Sequence, residues 1–149
     1  MPQATDSISF KDAYIEISDD DVTYTDISGY SNKVEIGGGE RMSGEFFTAD
    51  GDTPILTVGK RGSFDIGANV LYSEGAQAPY LTIKDAYEGA TQIYLRWAPA
   101  GNVVGNKRYT AGPGYILSPV YPAGDASSPD PIACEFTIKT LTVSTDTIT

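Results

Sequence analysis

The amino-acid sequence predicts a mainly β fold, a β-sandwich or partly open barrel with one flanking α-helix. Tyr, Thr, Val and Ile fill short runs in which apolar and polar residues alternate. The 16 Gly and 9 Pro residues separate these runs, as expected for a chain with many turns. With 149 residues, the chain is expected to form a single domain over residues 1–149 that buries about two thirds of its unfolded surface.

Three short strands are predicted first. Residues 13–17 alternate with period two, which is typical of a strand with one buried face. A charged tip follows, and the chain returns as a second strand over residues 22–27. The third strand is predicted over residues 33–36.

The segment 63–72 shows the most regular alternation in the chain. One face would carry Phe64, Ile66, Ala68, Val70 and Tyr72, and the other Ser63, Asp65, Gly67, Asn69 and Leu71. The first face is expected to pack on a core and the second, small and polar, to meet water. Residues 55–59 are predicted to pair with this strand in a hairpin around Lys60-Arg61-Gly62.

One helix is predicted over residues 78–88. Pro79 suits the first helical turn, and Gly89 is a typical stop. Tyr80, Ile83 and Tyr87 would form one apolar stripe. So short a helix is expected to be stable only when it is docked on a sheet.

Further strands are predicted over residues 92–98 and 132–139, and two more, 108–110 and 115–120, on either side of an AGPG turn. The ends of the chain, residues 1–9 and 142–149, have little apolar surface and are expected to be flexible arms in the free subunit.

Residues 37–53 form a long Gly-rich segment that is too long and too polar for a tight turn. Loops of this length without secondary structure are uncommon unless they are functional or disordered. The segment nevertheless carries Met42, Phe46 and Phe47. Apolar side chains on an exposed arm indicate that the arm docks on a partner.

The formal charge of −10 is unevenly distributed. Residues 1–52 hold 12 acidic and 3 basic side chains, whereas residues 53–149 hold 8 and 7. Such a surface repels nucleic acid, since duplex DNA carries about one negative charge per 1.7 Å of its axis. The sequence also lacks an apolar run of about 20 residues and a secretory signal, so we expect synthesis in a cytoplasm and no membrane contact.

The residue types argue against an enzyme and against a cofactor. The chain has no histidine, which removes the commonest general base and transition-metal ligand. Its one cysteine, Cys134, lies in an alternating run and is expected to be a buried, inert thiol. The acidic groups 19–21 and 50–52 lack the spacing of a calcium loop and are interpreted as turns, so no metal site is predicted.

The segment DISGYSNKVEIGGGERMSGEFFTADGDTPILTVGKRGSFDIGANVLY, residues 26–72, resembles the tail tube (major tail) proteins of long-tailed bacteriophages. The shared pattern is a D-I-S-G-Y…N-x-V-E element, a long loop and a T-x-G-K-R segment, and the similarity extends from about Tyr24 to Lys139. The resemblance implies hexameric rings that stack into a hollow tube in the virion. It also implies contacts with other tail proteins at the tube ends and DNA that passes through without specific binding.

The resemblance implies roles for two sets of residues. The long loop would bridge adjacent rings through Glu40, Arg41, Met42, Glu45, Phe46, Phe47 and Asp50. The polar strand face would line the lumen with Ser63, Asp65, Gly67 and Asn69.

Two other functions fit the same residues. The ten tyrosines and one tryptophan allow a carbohydrate-binding β-sandwich adhesion module. A small capsid-decorating protein is the other alternative, and a related tail-like or gene-transfer particle would give the same sequence pattern as a phage tail.

Overall fold

The computed structural model describes residues 2–76 and 78–149. A short 3-10 helix, Phe10–Asp12, precedes the first strand. In the described residues the strands are β1 Tyr14–Ser18, β2 Thr25–Asp26, β3 Val34–Gly38, β4 Arg41–Phe46, β5 Ile55–Arg61, β6 Phe64–Leu71, β7 Ile93–Ala98, β8 Lys107–Ile116, β9 Ala133–Thr140 and β10 Val143–Thr147, and the helix is α1 Pro79–Glu88.

Most strands join one antiparallel sheet in the order β2-β1-β7-β8-β9-β6-β3, with β10 also paired to β8. Strands β4 and β5 form a separate two-stranded sheet. The mainly β prediction with one flanking helix is therefore confirmed. The large sheet does not close into a barrel, because β2 and β3 lie at opposite ends of the strand order and do not pair.

The sheet divides at the middle of β8. Residues 107–111 pair with β10, whereas residues 114–116 pair with β9. The predicted hairpin with an AGPG turn is wrong, since β8 is a single strand through this sequence. Gly112 and Pro113 are instead accommodated as a bulge in the ladder between β7 and β8.

The core lies between the inner faces of the divided sheet and the helix. Most of its fully buried members come from β1, β6, β7, β8, β9 and α1, and include Ile15, Ile17, Ile66, Val70, Ile83, Ile93, Leu95, Ala111 and Ile138. Strand β9 alternates strictly between buried and exposed residues. The expected burial of Cys134 in that strand is confirmed, and burial raises the pKa of its thiol.

The helix begins at Pro79 and ends at Glu88, as predicted to within one residue. The backbone N–H of Gly89 closes the last turn on the Asp85 carbonyl. Tyr80 and Ile83 are buried as expected, and the helix packs on β6 and β8.

Strand β6 has the two faces predicted for it, since Ile66, Ala68 and Val70 are buried while Asp65 is exposed. Its predicted partner is wrong. β6 pairs with β3 on one side and β9 on the other, and β5 pairs with β4. Lys60-Arg61-Gly62 is therefore not a hairpin turn.

The C-terminal segment is not a free arm in this structure. Residues 143–147 form β10, which pairs along β8, and Ile148 is buried. The Arg108 guanidinium holds the Asp146 carboxylate with Nη2–Oδ2 at 2.5 Å. The expectation of a flexible arm over 142–149 fails because its Thr and Val residues complete a sheet edge. At the other end, residues 2–9 are exposed and have no helix or strand.

The ion pair between Arg108 and Asp146, which joins β10 to β8, predicts that the stability of the fold depends on pH. The hydrogen bond from Arg108 holds the pKa of the Asp146 carboxyl below its usual range. A carboxyl group whose pKa is lowered by folding stabilises the folded state at pH values above its unfolded pKa. This contribution disappears as the pH falls through the folded pKa. Asp146→Asn should therefore lower the free energy of unfolding near pH 7 by about 0.2–1 kcal/mol, as for exposed ion pairs.

Urea unfolding at about pH 7 and about pH 2 checks this expectation, because the wild type and the variant should differ only at the higher pH. Asp130→Asn is the matched control, since Asp130 is exposed and forms no ion pair in the described part of the chain. An equal loss at both pH values would show that the ion pair is not the cause.

Candidate assembly site

The strands β3 to β6 form one continuous, bent ribbon. The ladder between β3 and β6 ends at Gly38 opposite Phe64. Two backbone hydrogen bonds carry it onward, from Gly39 N–H to the Ser63 carbonyl at 2.8 Å and from Gly62 N–H to the Glu40 carbonyl at 2.9 Å. The ladder then resumes between β4 and β5. Residues 41–61, here called the projecting hairpin, thus extend directly from the main sheet. About half of the predicted loop 37–53 is strand, namely residues 37–38 and 41–46.

The bend in the ribbon depends on two glycines. Gly38 and Gly39 have φ of +69° and +72°, a region that L side chains rarely adopt. A Cβ at Gly38 would lie 2.4 Å from the Ser63 carbonyl oxygen, and one at Gly39 would lie 2.2 Å from the Phe64 ring. The Arg61 guanidinium covers that ring, 5.2 Å from its centroid. The run of three glycines therefore marks a bend, not a mobile loop.

Apolar side chains on the projecting hairpin are uncovered. Every residue of β4 and β5 is exposed. The large apolar side chains are between 55% and 71% exposed: Met42, Phe46, Phe47, Ile55, Leu56 and Val58. The first three were predicted from the sequence. The other three were missed because their alternation was assigned to a core hairpin.

These side chains occupy both faces of the projecting hairpin. Phe46 lies opposite Ile55 on one face, while Leu56 lies opposite Glu45 on the other. An isolated two-stranded hairpin is marginally stable in water. Exposed apolar surface is typical of contact sites, so the projecting hairpin is a candidate assembly site.

The remaining predicted residues of this segment are charged and exposed. Glu40 lies at the bend, Arg41 begins β4, Glu45 lies within β4 and Asp50 lies near the tip. None of the four forms an ion pair within the described part of the chain. They are therefore available to a partner.

The second predicted site is the polar face of β6. Asp65, Gly67 and Asn69 do share one face, with Asp65 exposed and the other two half-buried. Ser63 lies just before the strand and accepts the Gly39 hydrogen bond through its carbonyl. Asn69 is held by the preceding loop, since its side-chain oxygen accepts the Asn32 N–H at 3.0 Å.

Neighbouring strands add charges to this polar face that sequence reasoning missed. The Lys139 ammonium lies 3.4 Å from the Asp65 carboxylate. Lys33 contacts Glu135 at 2.5 Å and Glu35 at 3.8 Å, and the hydrogen bond to Glu135 raises the pKa of Lys33. The face formed by β3, β6 and β9 thus carries three acids and two paired lysines. Only the strand register, which places Asp65 opposite Lys139, reveals this arrangement.

Several strand edges are unpaired within the described residues, and two of them lie at the ends of the large sheet. β3 pairs only with β6, and β2 pairs only with β1. An unpaired strand edge is a template for pairing with another chain. The ends of the large sheet are therefore further candidate contact surfaces.

No group of three or more acidic or cysteine side chains close enough to hold a metal ion is found in residues 2–76 and 78–149. Over the same residues, the helix is too short and too polar to cross a membrane.

No protein-family model matches the chain, and no curated protein matches it in sequence. Solved structures match it closely in fold. A chain of the PVC sheath–tube complex, an extracellular contractile injection system in its extended state, aligns with a TM-score of 0.67 at 15% identity, covering 97% of this chain and 94% of that one.

Two further structures match over similar lengths. The SPP1 tail tube aligns with a TM-score of 0.69 at 16% identity, over 95% of this chain and 80% of that one. A chain of the six-fold symmetrised baseplate of the anti-feeding prophage aligns with a TM-score of 0.68 at 6% identity, over 98% and 99%. The chain shares the fold of these proteins along nearly its whole length.

A substitution at Gly39 tests whether the bend depends on this glycine. Gly39→Ala should strain the left-handed backbone by about 1–2 kcal/mol and push the Phe64 ring aside. The main sheet should stay folded while the projecting hairpin loses its ladder to it. Hydrogen exchange of the amides in residues 41–61 should accelerate relative to those of β7 and β9.

Gly29→Ala is the matched control, because a Cβ there would meet nothing within 4 Å and φ is not positive. Unchanged exchange of residues 41–61 in the Gly39 variant would show that the bend does not depend on this glycine.

Proposed function

We propose that this chain is the structural subunit of a phage-type tail tube, whose copies form hexameric rings that stack into a hollow conduit for genome delivery. The observation that carries the proposal is the projecting hairpin, whose large apolar side chains are mostly exposed. The fold shared with the SPP1 tail tube and with the PVC sheath–tube complex supports it.

The projecting hairpin would bridge one ring to the next. Burying a large apolar side chain contributes about 1.5–3 kcal/mol. Six such side chains are largely exposed on the hairpin. Their combined burial against a neighbour supplies a strong driving force for assembly, and the ladder through the bend holds the hairpin at a fixed angle to its own sheet.

Lateral contacts would use the free sheet edges. If β3 of one copy lies beside the β2 end of the next, each copy presents two different surfaces, and such a contact closes into a ring when the rotation allows it. Closure removes the free edges. The number six follows the resemblance, and the six-fold symmetry named for the anti-feeding prophage baseplate supports it.

The polar face of β3, β6 and β9 would line the lumen. A conduit for DNA needs a wall that does not hold phosphate. Here Asp65, Glu35 and Glu135 outnumber Lys139 and Lys33, and both lysines are paired with acids. Because salt screens charges beyond about 8 Å, this wall would act only on DNA that passes close to it.

The assembled chain would be a component of the virion tail, made in the host cytoplasm, and would meet other tail proteins at the tube ends. Related assemblies are described with a sheath/tube terminator and a tube-terminating cap. The role is structural and not enzymatic. A carbohydrate-binding role gains no support, since Trp97 and Tyr80 are buried in the core.

Removing the projecting hairpin tests its role in assembly. Residues 43–58 can be replaced by Asn-Gly, since this two-residue turn connects adjacent strands with little strain. The shortened chain should keep the circular dichroism and thermal unfolding of the main sheet but form no tubes in negative-stain electron microscopy.

The point variant Phe46→Ser with Ile55→Ser should also prevent tubes, because it removes an opposed apolar pair. Val103→Ser with Val104→Ser is the matched control, since these two exposed apolar residues lie outside the hairpin. Normal tubes from the shortened chain would contradict the proposed role.

The lumen assignment is tested by Asp65→Lys. This change removes an acid and leaves Lys139 unpaired, so each copy presents additional positive charge on the polar face. Tubes should still assemble, but they should retain added DNA on sedimentation, unlike tubes of the Asp130→Lys control. A reconstruction that places Asp65 on the outer surface of the tube would exclude the assignment.

A further inference from the structure

A cluster of positive charge that forms no ion pair within residues 2–76 and 78–149 lies at the base of the projecting hairpin. Arg41 and Arg61 are direct cross-strand partners, and Lys60 is adjacent. Like charges directly opposite each other destabilise a strand pair. The three side chains will be called the basic cluster. Glu40 is next to the basic cluster in sequence. It offsets only one of the three positive charges, so the local charge remains positive.

The basic cluster is unusual in this acidic chain. Of the ten basic residues, Lys33, Arg96, Arg108 and Lys139 form ion pairs in the described part of the chain. Three of the remaining six are gathered at this one point. Arg61 contacts the Phe64 ring, but none of the three cations contacts a carboxylate in the described residues, so their charge is available to an anionic group of another molecule.

The opposite end of the hairpin is acidic. The tip, residues 47–54, carries the exposed residues Asp50 and Asp52 and no basic residue. Five residues on each strand separate the tip from the basic cluster, a distance of roughly 20 Å. This exceeds the screening length of about 8 Å at physiological salt, so the two ends do not attract each other within one chain.

We infer that the acidic tip of one copy docks on the basic cluster of a second copy. The inference rests on the proposed function and names the surface that receives the hairpin. Each copy offers one tip and one basic cluster, so the contact is head-to-tail and repeats along the hairpin direction. The tip of one copy would neutralise the opposed arginines of the next and so fix where the projecting hairpin ends on its neighbour.

Charge reversal tests the inference. A tip variant carries Asp50→Lys and Asp52→Lys, and a base variant carries Arg41→Glu and Arg61→Glu. Either variant alone should raise the critical concentration for tube assembly on the order of tenfold or more, because like charges then meet at the contact. An equimolar mixture should restore assembly, since each tip then finds an opposite base on the other variant.

A chain with all four changes should also assemble, because its tip and base are complementary again. Asp6→Lys with Asp130→Lys changes the net charge as the tip variant does, at exposed positions outside the hairpin, and should assemble as the wild type does. This control separates a specific contact from the general loss of self-repulsion.

The outcomes distinguish this inference from the proposed function. If the wild type forms tubes and the tip variant assembles equally well, or if mixing does not restore assembly, the inference is wrong and the proposed function stands. If the wild type forms no tubes, the proposed function fails. Sedimentation of the mixed variants then decides the inference: association only in the mixture supports it, and no association overturns it.

Discussion

The backbone ladder that runs from β3 and β6 into β4 and β5 determines how this molecule presents its contact surface. In the main sheet the ladder is supported by the core, through Ile66, Ala68 and Val70. Beyond the bend it continues through strands in which every residue is exposed. The same hydrogen-bonded ribbon therefore links the most stable part of the fold to the most exposed one. The orientation of the projecting hairpin follows from this link.

Patterns that depend on local sequence could be predicted. The alternation in β6 and β9 follows from burial of one face, and the helix is bounded by Pro79 and Gly89, whose effects are confined to neighbouring residues. The exposed apolar residues Met42, Phe46 and Phe47 were also recognised, because large apolar side chains among Gly and acidic residues stand out without knowledge of the fold.

Pairing between distant strands could not be predicted. Lys60-Arg61-Gly62 has the composition of a turn, yet the structure places it in one arm of a ribbon, because the partners of β6 are the distant strands β3 and β9. The bulge at Gly112 and Pro113 and the docking of β10 on β8 likewise depend on partners elsewhere in the chain. The ion pair of Asp65 with Lys139 follows from register alone, so the charge of the polar face was not predictable from β6.

An electron cryomicroscopy reconstruction of particles assembled from the purified wild-type chain tests most directly whether the projecting hairpin is an assembly element. The proposed function predicts stacked rings in which Phe46 and Ile55 are buried against a neighbouring copy while the main sheet keeps its strand order. Tubes in which both side chains remain exposed to solvent, or a chain that stays monomeric at high concentration, would contradict it.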